Sequence, residues 1–215
     1  MISVLVVDDH DLVRSGISRL LADAKGVEVV GEAASGEEAL SMVKELGPNV
    51  VLMDIQMPGI GGMEATRKIV HHHKEVRVIA VSACDDNPYA QRLMQVGATG
   101  YLTKGAGSDE MVTAIVKAHR GQKYISPEIA QRMALQAFDP VSENPFDKLS
   151  EREMQIALMI VNCHKAAEIG DKLFLSPKTV NSYRYRIFEK LNIDGDVELT
   201  RLAMRNGLID PSLTN

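Results

Sequence analysis

Acidic, hydroxyl and amine side chains follow the apolar runs in the first half of the chain. Asp8 and Asp9 close the run ISVLVV, Asp54 closes VVLM, Ser82 closes VRVIAV and Lys104 follows TGYL. Because the carboxyl ends of parallel strands meet at one edge of a sheet, these side chains are predicted to converge. Carboxylate oxygens suit Mg²⁺, and a bound dication lets an aspartate approach a phosphoryl group. The pattern therefore predicts an acidic pocket in which one aspartate accepts a phosphoryl group.

Two further side chains complete the predicted chemistry of this pocket. Lys104 supplies a cation opposite the carboxylates, and the hydroxyl of Ser82 can donate a hydrogen bond to a phosphoryl oxygen. Taken alone, each of these residues also fits an ordinary surface or turn position. Their occurrence at four successive strand ends favours one shared site.

An alternation of apolar runs and amphipathic stretches fills residues 1–121. Nearly continuous valine, isoleucine and leucine predicts strands buried on both faces, at 2–7, 27–31, 50–53, 76–81 and 99–102. The amphipathic stretches predict helices at about 11–24, 36–46, 62–73, 86–96 and 108–120. This order predicts an α/β domain with a doubly wound, five-stranded parallel sheet, whose ligand site lies beyond the carboxyl ends of the strands.

The remaining residues are predicted to form a linker and an all-helical domain. Residues 122–146 are predicted to form a linker that contains one helix, with Ser126 as its N-cap and Pro127 at its first position. Residues 147–215 show only helical periodicity and predict a second, all-α domain of four helices. Ser176 and the proline after it mark the start of the third of these helices.

The third helix of the second domain, at 177–191, has the features of a recognition helix. The net charge of −5 is unevenly spread: residues 1–146 hold 14 Lys/Arg and 19 Asp/Glu, but 177–191 hold four basic residues and one acidic residue. Helical spacing predicts a buried stripe of Val180, Tyr183, Ile187 and Leu191. The candidate DNA contacts are Lys178, Thr179, Asn181, Ser182, Tyr185 and Arg186, with Arg184 at the edge of the stripe. An ordinary amphipathic surface helix remains the alternative.

Composition excludes several other classes of protein. The sequence contains no run of about 18 apolar residues, so no membrane span is predicted. The N-terminus lacks the features of a signal peptide. Two distant cysteines fit a reduced, cytoplasmic protein. The sequence lacks the glycine fingerprint of dinucleotide-binding proteins and the Walker loop of nucleotide-binding proteins, so no nucleotide cofactor is predicted. Dehalogenase-type phosphatases carry a second acid two residues after the aspartate nucleophile. The corresponding residue after Asp54 is Gln56, so the sequence does not favour a phosphohydrolase.

The pocket residues lie in motifs that resemble the receiver domains of two-component response regulators over residues 1–121. The matching motifs are VVDDH at 6–10, LMDIQMPGIGG at 52–62, VSA at 81–83 and GYLTKG at 100–105. The resemblance implies a CheY-like fold and transfer of a phosphoryl group to Asp54 from the phosphohistidine of a sensor histidine kinase. It implies no enzymatic activity beyond this self-phosphotransfer.

The same resemblance implies roles for the neighbours of Asp54. Mg²⁺ is the implied cofactor, held by Asp9, Asp54 and the backbone carbonyl of Gln56, with Asp8 contributing through water. Ser82 and Tyr101 are the implied switch pair, in which the hydroxyl moves to the phosphate and the ring turns inward.

The second domain resembles the LuxR-type helix-turn-helix of the NarL/FixJ response regulators. The similarity lies in LSERE at 149–153, in Glu168-Ile169 and in LSPKTVNSYRYRIFEKL at 175–191. Stretches such as YISPEIAQ and MIVNCHKA are most similar to the GacA/UvrY/LetA group. Gly170 departs from the alanine usual in the family, and a glycine there is expected to cost roughly 0.5–1 kcal/mol of helix stability.

The resemblance also implies partners. Members of this group answer to hybrid sensor kinases and activate genes for small regulatory RNAs. A homodimer on a palindromic site in double-stranded DNA is implied, with the last helix as its contact, although the apolar residues of that helix equally fit a core. A protein of another class fits the same pattern: a phospho-relay or protein-binding module whose helical domain docks proteins.

Overall fold

The computed structural model describes residues 1–82, 89–138, 144–206 and 208. These residues form two compact units, the first ending at Leu135 and the second beginning at Gln136. The first three residues of the predicted helix 86–96, and Ala83 of the VSA motif, lie outside the described residues.

The first unit is a parallel sheet with helices on both faces. Its strands are β1 (Ile2–Val7), β2 (Val27–Ala33), β3 (Val50–Asp54), β4 (Arg77–Ser82), β5 (Gly100–Thr103) and β6 (Tyr124–Ile125). Its helices are α1 (Asp11–Ala22), α2 (Gly36–Leu46), α3 (Gly61–His72), α4 (Tyr89–Val96), α5 (Ser108–His119) and α6 (Pro127–Phe138), the last three residues of which belong to the second unit. The strand order is β2-β1-β3-β4-β5-β6, so the predicted doubly wound α/β architecture is confirmed.

Alternate residues of the central strands fill two separate cores. Val4, Leu52 and Ile79 point to one face, where Leu21 of α1 and Ile115 of α5 cover them. On the other face, a second set that includes the strand residues Leu5, Val51 and Val78 packs against residues of α2 and α3. Burial on both faces explains the unbroken apolar runs of the sequence.

The predicted count of five strands is wrong, because Tyr124 and Ile125 add a sixth at the sheet edge. They pair in parallel register with Gly100 and Tyr101 of β5. The backbone N–H of Ser126 also donates to the carbonyl of Tyr101, at 3.0 Å. A two-residue edge strand carries too little apolar periodicity to be recognised, so these residues were expected in the linker.

Glu110 of α5 fastens this added strand to the rest of the first unit. Its Oε1 accepts hydrogen bonds from the hydroxyl of Tyr124 at 3.1 Å and from Ser126 Oγ at 2.7 Å. Ser126 is buried, and the Lys117 ammonium lies 5.1 Å from the centre of the Tyr124 ring. Side chains of α5 therefore hold the start of the predicted linker.

The second unit contains the four predicted helices after a short 3₁₀ turn at Pro145–Lys148. They are α7 (Glu151–Val161), α8 (Ala166–Leu173), α9 (Pro177–Leu191) and α10 (Asp196–Arg205). Buried residues from all four helices and from the 3₁₀ turn form the interior, among them Phe146, Ile156, Ile169, Ile187 and Leu199.

A buried carboxylate joins two of these helices. Ser150 and Glu153 form a capping box at the start of α7, and Glu153 Oε2 also lies 2.6 Å from Lys190 Nζ of α9. Burial acts to raise the pKa of Glu153, but the hydrogen bonds from Lys190 and Ser150 outweigh it and lower that pKa. The carboxylate is therefore more stable in the folded protein than in the unfolded chain.

The turn between α8 and α9 passes unusually close to Gly170. The N–H of Leu175 donates to the Gly170 carbonyl at 2.8 Å, and a Cβ on Gly170 would lie 2.6 Å from the Leu175 carbonyl oxygen. The glycine expected to weaken this helix is thus the residue that lets the turn approach it.

Candidate functional site

Three loops at the carboxyl edge of the sheet bring the predicted pocket residues together. Asp8 follows β1, Asp54 ends β3 and Lys104 follows β5. Lys104 Nζ lies 2.7 Å from Asp8 Oδ2 and 2.9 Å from Asp54 Oδ2. Both carboxylates are almost completely buried. The ammonium therefore bridges two carboxylates that are largely removed from water.

The electrostatics of the pocket follow from burial and this bridge. Burial raises the pKa of Asp54 and the charge of Asp8 adds to the rise, although Lys104 and the N–H of Gln56 oppose it. Burial acts to lower the pKa of Lys104, but hydrogen bonds to Asp54 and Asp8 outweigh it and raise that pKa. The ammonium stays charged, and the pocket keeps an excess of negative charge.

The donor set of this pocket fits a divalent cation. Asp8, Asp9, His10 and Asp54 each offer a ligand atom, and these atoms lie within 4.8 Å of one another. Within the described residues, Asp9 Oδ1 is buried and accepts no hydrogen bond. A buried carboxylate oxygen with no donor is costly unless a cation binds it, so the residues present suit a hard dication.

Backbone contacts fix the ends of the strands that carry these residues. A Cβ on Gly62 would lie 1.8 Å from the Asp54 carbonyl oxygen, so α3 starts closer to β3 than any other residue type would permit. Arg14 Nη1 of α1 donates to the Asp8 carbonyl at 2.7 Å, and Arg14 Nε donates to Glu32 Oε2 of β2 at 3.2 Å. These contacts hold the loop after β1 against the sheet.

The predicted switch pair lies on the two neighbouring strands. Ser82 ends β4 and is buried, and its backbone carbonyl accepts from the Lys104 N–H at 2.6 Å. Tyr101 of β5 is completely buried, with its ring in the inward position. The backbone carbonyl of Tyr101 accepts the hydrogen bond from the backbone N–H of Ser126. The residues that follow β6 therefore contact this predicted switch residue directly.

The candidate DNA-contact residues lie on α9. Its N-cap Ser176 accepts from the N–H of Thr179 at 3.1 Å, with Pro177 in the first turn. Val180, Ile187 and Leu191 are buried as predicted, while Tyr183 is half-buried. Lys178, Ser182, Tyr185 and Arg186 are exposed, and Thr179 and Asn181 are partly so.

Arg184 is set apart from the other candidate contacts on this helix. Its guanidinium forms an ion pair with Asp196 of α10 and lies over the ring of Phe188, 5.6 Å from the ring centre. Both of these Arg184 contacts are made within the second unit. Leu199 and Ala203 of α10 are buried, which makes part of its apolar stripe core.

Two family models match the chain, one in each unit. Residues 4–116 match the response regulator receiver domain, and residues 147–203 match the bacterial regulatory proteins of the luxR family. The chain is a LuxR-type response regulator. It is thus a DNA-binding transcription regulator of a two-component system, and its receiver carries an acidic cluster typical of Mg²⁺ sites.

Whole-length relatives place this response regulator more narrowly. It is 63% identical to the response regulator GacA of Pseudomonas protegens over 99% of this chain and 100% of the relative. It is 56% identical to the response regulator UvrY of Escherichia coli (strain K12), over 97% of this chain and 96% of that relative. A solved LuxR-family response regulator from Aurantimonas sp. SI85-9A1 aligns with a TM-score of 0.61 and 36% identity, over 64% of this chain and 98% of that one. The predicted similarity to the GacA and UvrY group is confirmed.

The sequence left three site residues unassigned. Gly62 and Arg14 act through close approach and through backbone contacts, which only the folded chain reveals. His10 stands beside the acidic pair in VVDDH, and its adjacency was the available signal. Within the described part of the chain, every helix is too short or too polar to cross a lipid bilayer.

Proposed function

We propose that Asp54 is the phosphoacceptor of this response regulator. One of its carboxylate oxygens attacks the phosphorus of a phosphohistidine on a sensor histidine kinase. The P–O bond forms as the P–N bond breaks, and the imidazole leaves with the electron pair of that bond. The product is an acyl phosphate, and the protein performs no other group transfer.

The contact that carries this proposal is the Lys104 bridge between the two buried carboxylates. Lys104 Nζ holds Asp54 Oδ2 at 2.9 Å, which orients the acceptor and places a positive charge beside the incoming phosphoryl oxygens. Ser82 ends the neighbouring strand, from which its hydroxyl donates to a phosphoryl oxygen. Repacking of the buried Tyr101 ring behind it then changes the surface near β5.

The proposed metal site uses Asp9, Asp54 and the backbone carbonyl of Gln56, with Asp8 contributing through water. Mg²⁺ held there supplies charge neutralisation between the carboxylates and the phosphoryl oxygens. Asp8 also pairs with Lys104 through Oδ2, which would leave its Oδ1 atom for the water-mediated contact to the metal.

Phosphorylation is tested by incubating the full chain with acetyl phosphate and MgCl₂ and measuring intact mass. We expect one added phosphoryl group on the wild type and none on Asp54→Asn. Asp23→Asn, which changes an exposed aspartate of the first unit, is the matched control and should be labelled like the wild type. Labelling of Asp54→Asn at the wild-type level would refute the assignment.

The DNA-binding residues are proposed to be the exposed and partly exposed residues of α9: Lys178, Thr179, Asn181, Ser182, Tyr185 and Arg186. Their exposure and the excess of positive charge on this helix support the proposal. Arg184 is proposed to orient α9 through Asp196 and to contribute to DNA binding indirectly. Asn181 and Ser182 are suited to base edges, while Lys178 and Arg186 are suited to phosphates.

Salt-dependent binding distinguishes phosphate contacts from a general loss of fold. We expect Lys178→Ala and Arg186→Ala each to weaken DNA binding across sequences and to reduce the slope of log K against log salt by about 1. Lys44→Ala removes an exposed lysine of the first unit and should leave the slope unchanged. Unchanged binding in both α9 variants would favour a helical domain that docks proteins.

The wider assignment follows the relatives. We propose a receiver domain at 1–121, a linker at 122–146 and a DNA-binding domain at 147–215. The kinase is proposed to be a hybrid sensor kinase, the DNA-bound form a homodimer on a palindromic site, and the targets genes for small regulatory RNAs. The protein itself is proposed to act in the cytoplasm.

A further inference from the structure

We propose that His10 contributes an imidazole nitrogen to the metal site of the receiver, which shifts the site's preference from Mg²⁺ toward first-row transition ions. This inference rests on the divalent-cation site of the proposed function. His10 Nδ1 lies 3.0 Å from Asp9 Oδ1 and 3.4 Å from Asp8 Oδ1. It belongs to the same set of ligand atoms as Asp54.

These separations match those of atoms that share one ion. Ligand atoms at about 2.1 Å from an octahedral ion lie roughly 3 Å apart when they are adjacent. Asp9 Oδ1 accepts no hydrogen bond within the described residues, although Nδ1 lies 3.0 Å away. The two atoms are within ion-pair distance but form no aligned hydrogen bond, so both can face one bound ion when the imidazole is neutral.

The two sides of the pocket are lined by different nitrogen groups. Lys104 contacts the Oδ2 atoms of Asp8 and Asp54, whereas His10 faces the Oδ1 atoms of Asp8 and Asp9. The backbone N–H of His10 donates a hydrogen bond to Asp8 Oδ1 at 2.9 Å, and this bond fixes the backbone of the loop that carries the imidazole ring. The side of the pocket opposite the ammonium is therefore the side that His10 can reach.

Ligand type decides which ion gains from this nitrogen. Mg²⁺ binds oxygen almost exclusively, whereas Mn²⁺, which also favours oxygen ligands, accepts an imidazole nitrogen more readily than Mg²⁺ does. The His10 side chain is 67% exposed, so its ring contributes little to the core and is free to reorient onto an ion. The affinity of the site for Mn²⁺ should therefore depend on His10 more than its affinity for Mg²⁺ does.

The test uses the full chain loaded with Mn²⁺ and read by pulsed electron paramagnetic resonance. We expect a ¹⁴N coupling from one imidazole in the wild type, its loss in His10→Asn and its persistence in His72→Asn. Titration should show Mn²⁺ affinity falling roughly tenfold or more in His10→Asn, with a smaller change for Mg²⁺. Asn is a favoured helix N-cap, so this substitution at the cap of α1 preserves the fold.

The outcomes separate this inference from the function on which it rests. Bound Mn²⁺ without ¹⁴N coupling, or a coupling that survives His10→Asn, overturns the role of His10 and leaves the acidic site intact. Mn²⁺ and Mg²⁺ binding that is unaffected by Asp9→Asn overturns the acidic site itself. Equal losses of Mn²⁺ and Mg²⁺ affinity in His10→Asn overturn the claim of altered metal preference.

Discussion

Replacing Gly170 by alanine should destabilise the second unit, although alanine is the better helix former. In the interior of α8, a change from glycine to alanine gains about 0.5–1 kcal/mol of helix stability. The new Cβ would, however, lie 2.6 Å from the Leu175 carbonyl oxygen. That oxygen belongs to the backbone of the turn before α9 and cannot rotate away as a flexible side chain could.

The cost of relieving this clash decides the sign of the effect. Overpacking that forces a backbone shift typically costs about 1–3 kcal/mol. It also strains the hydrogen bond from the Leu175 N–H to the Gly170 carbonyl. The net result is a loss of about 1 kcal/mol, which lowers the melting temperature of a unit of this size by roughly 4–8 °C.

Gly16 in α1 provides the matched control. A Cβ at that position meets no atom within 4 Å, so Gly16→Ala should stabilise the first unit by about 0.5–1 kcal/mol. Calorimetry of the full chain measures both variants, and hydrogen exchange of peptides that span 160–191 locates the effect of Gly170→Ala. A Gly170→Ala protein that melts higher than the wild type would refute the role given to the close approach.

Three further perturbations test other contacts. Gly62→Ala should displace the Asp54 backbone and reduce labelling by acetyl phosphate by up to about 100-fold, as measured by intact mass. The wild type should be more stable than Glu153→Gln, because Lys190 lowers the pKa of Glu153 in the folded protein. This difference in stability should be complete above about pH 4.3 and be lost as the pH falls through the folded-state pKa. Equal acid-unfolding curves for the two proteins would contradict this. Ser126→Ala should lower the free energy of unfolding of the first unit by about 1.5–3 kcal/mol in urea titrations, because it removes a buried hydrogen bond to a carboxylate.

The convergence of Asp8, Asp54 and Lys104 could be predicted because topology alone enforces it. In a parallel sheet every strand ends at the same edge, so residues that follow neighbouring strands become neighbours whatever their separation in the sequence. The separation of 50 positions between Asp54 and Lys104 is therefore no obstacle to predicting their contact, and their side chains meet at 2.9 Å.

The contacts that escaped prediction depend on distances that periodicity does not encode. The strand at Tyr124 and Ile125 is too short to show alternation, and its pairing is stabilised by a carboxylate on α5. The ion pair of Arg184 with Asp196 requires the angle between α9 and α10, which no spacing rule supplies. Gly170 was assessed by helix propensity, whereas its neighbours across the turn determine its effect.

The charge balance of the receiver pocket implies an order of events. Asp8, Asp9 and Asp54 face one ammonium, so the pocket holds two more negative than positive formal charges when all three carboxylates are ionised. Burial and the charge of Asp8 already raise the pKa of Asp54, which disfavours the ionised form that must attack phosphorus. A bound dication removes that excess and favours the carboxylate before the phosphoryl group brings further negative charge. Metal binding should therefore precede phosphorylation, and chelation of divalent ions should slow formation of the acyl phosphate while Lys104 remains in place.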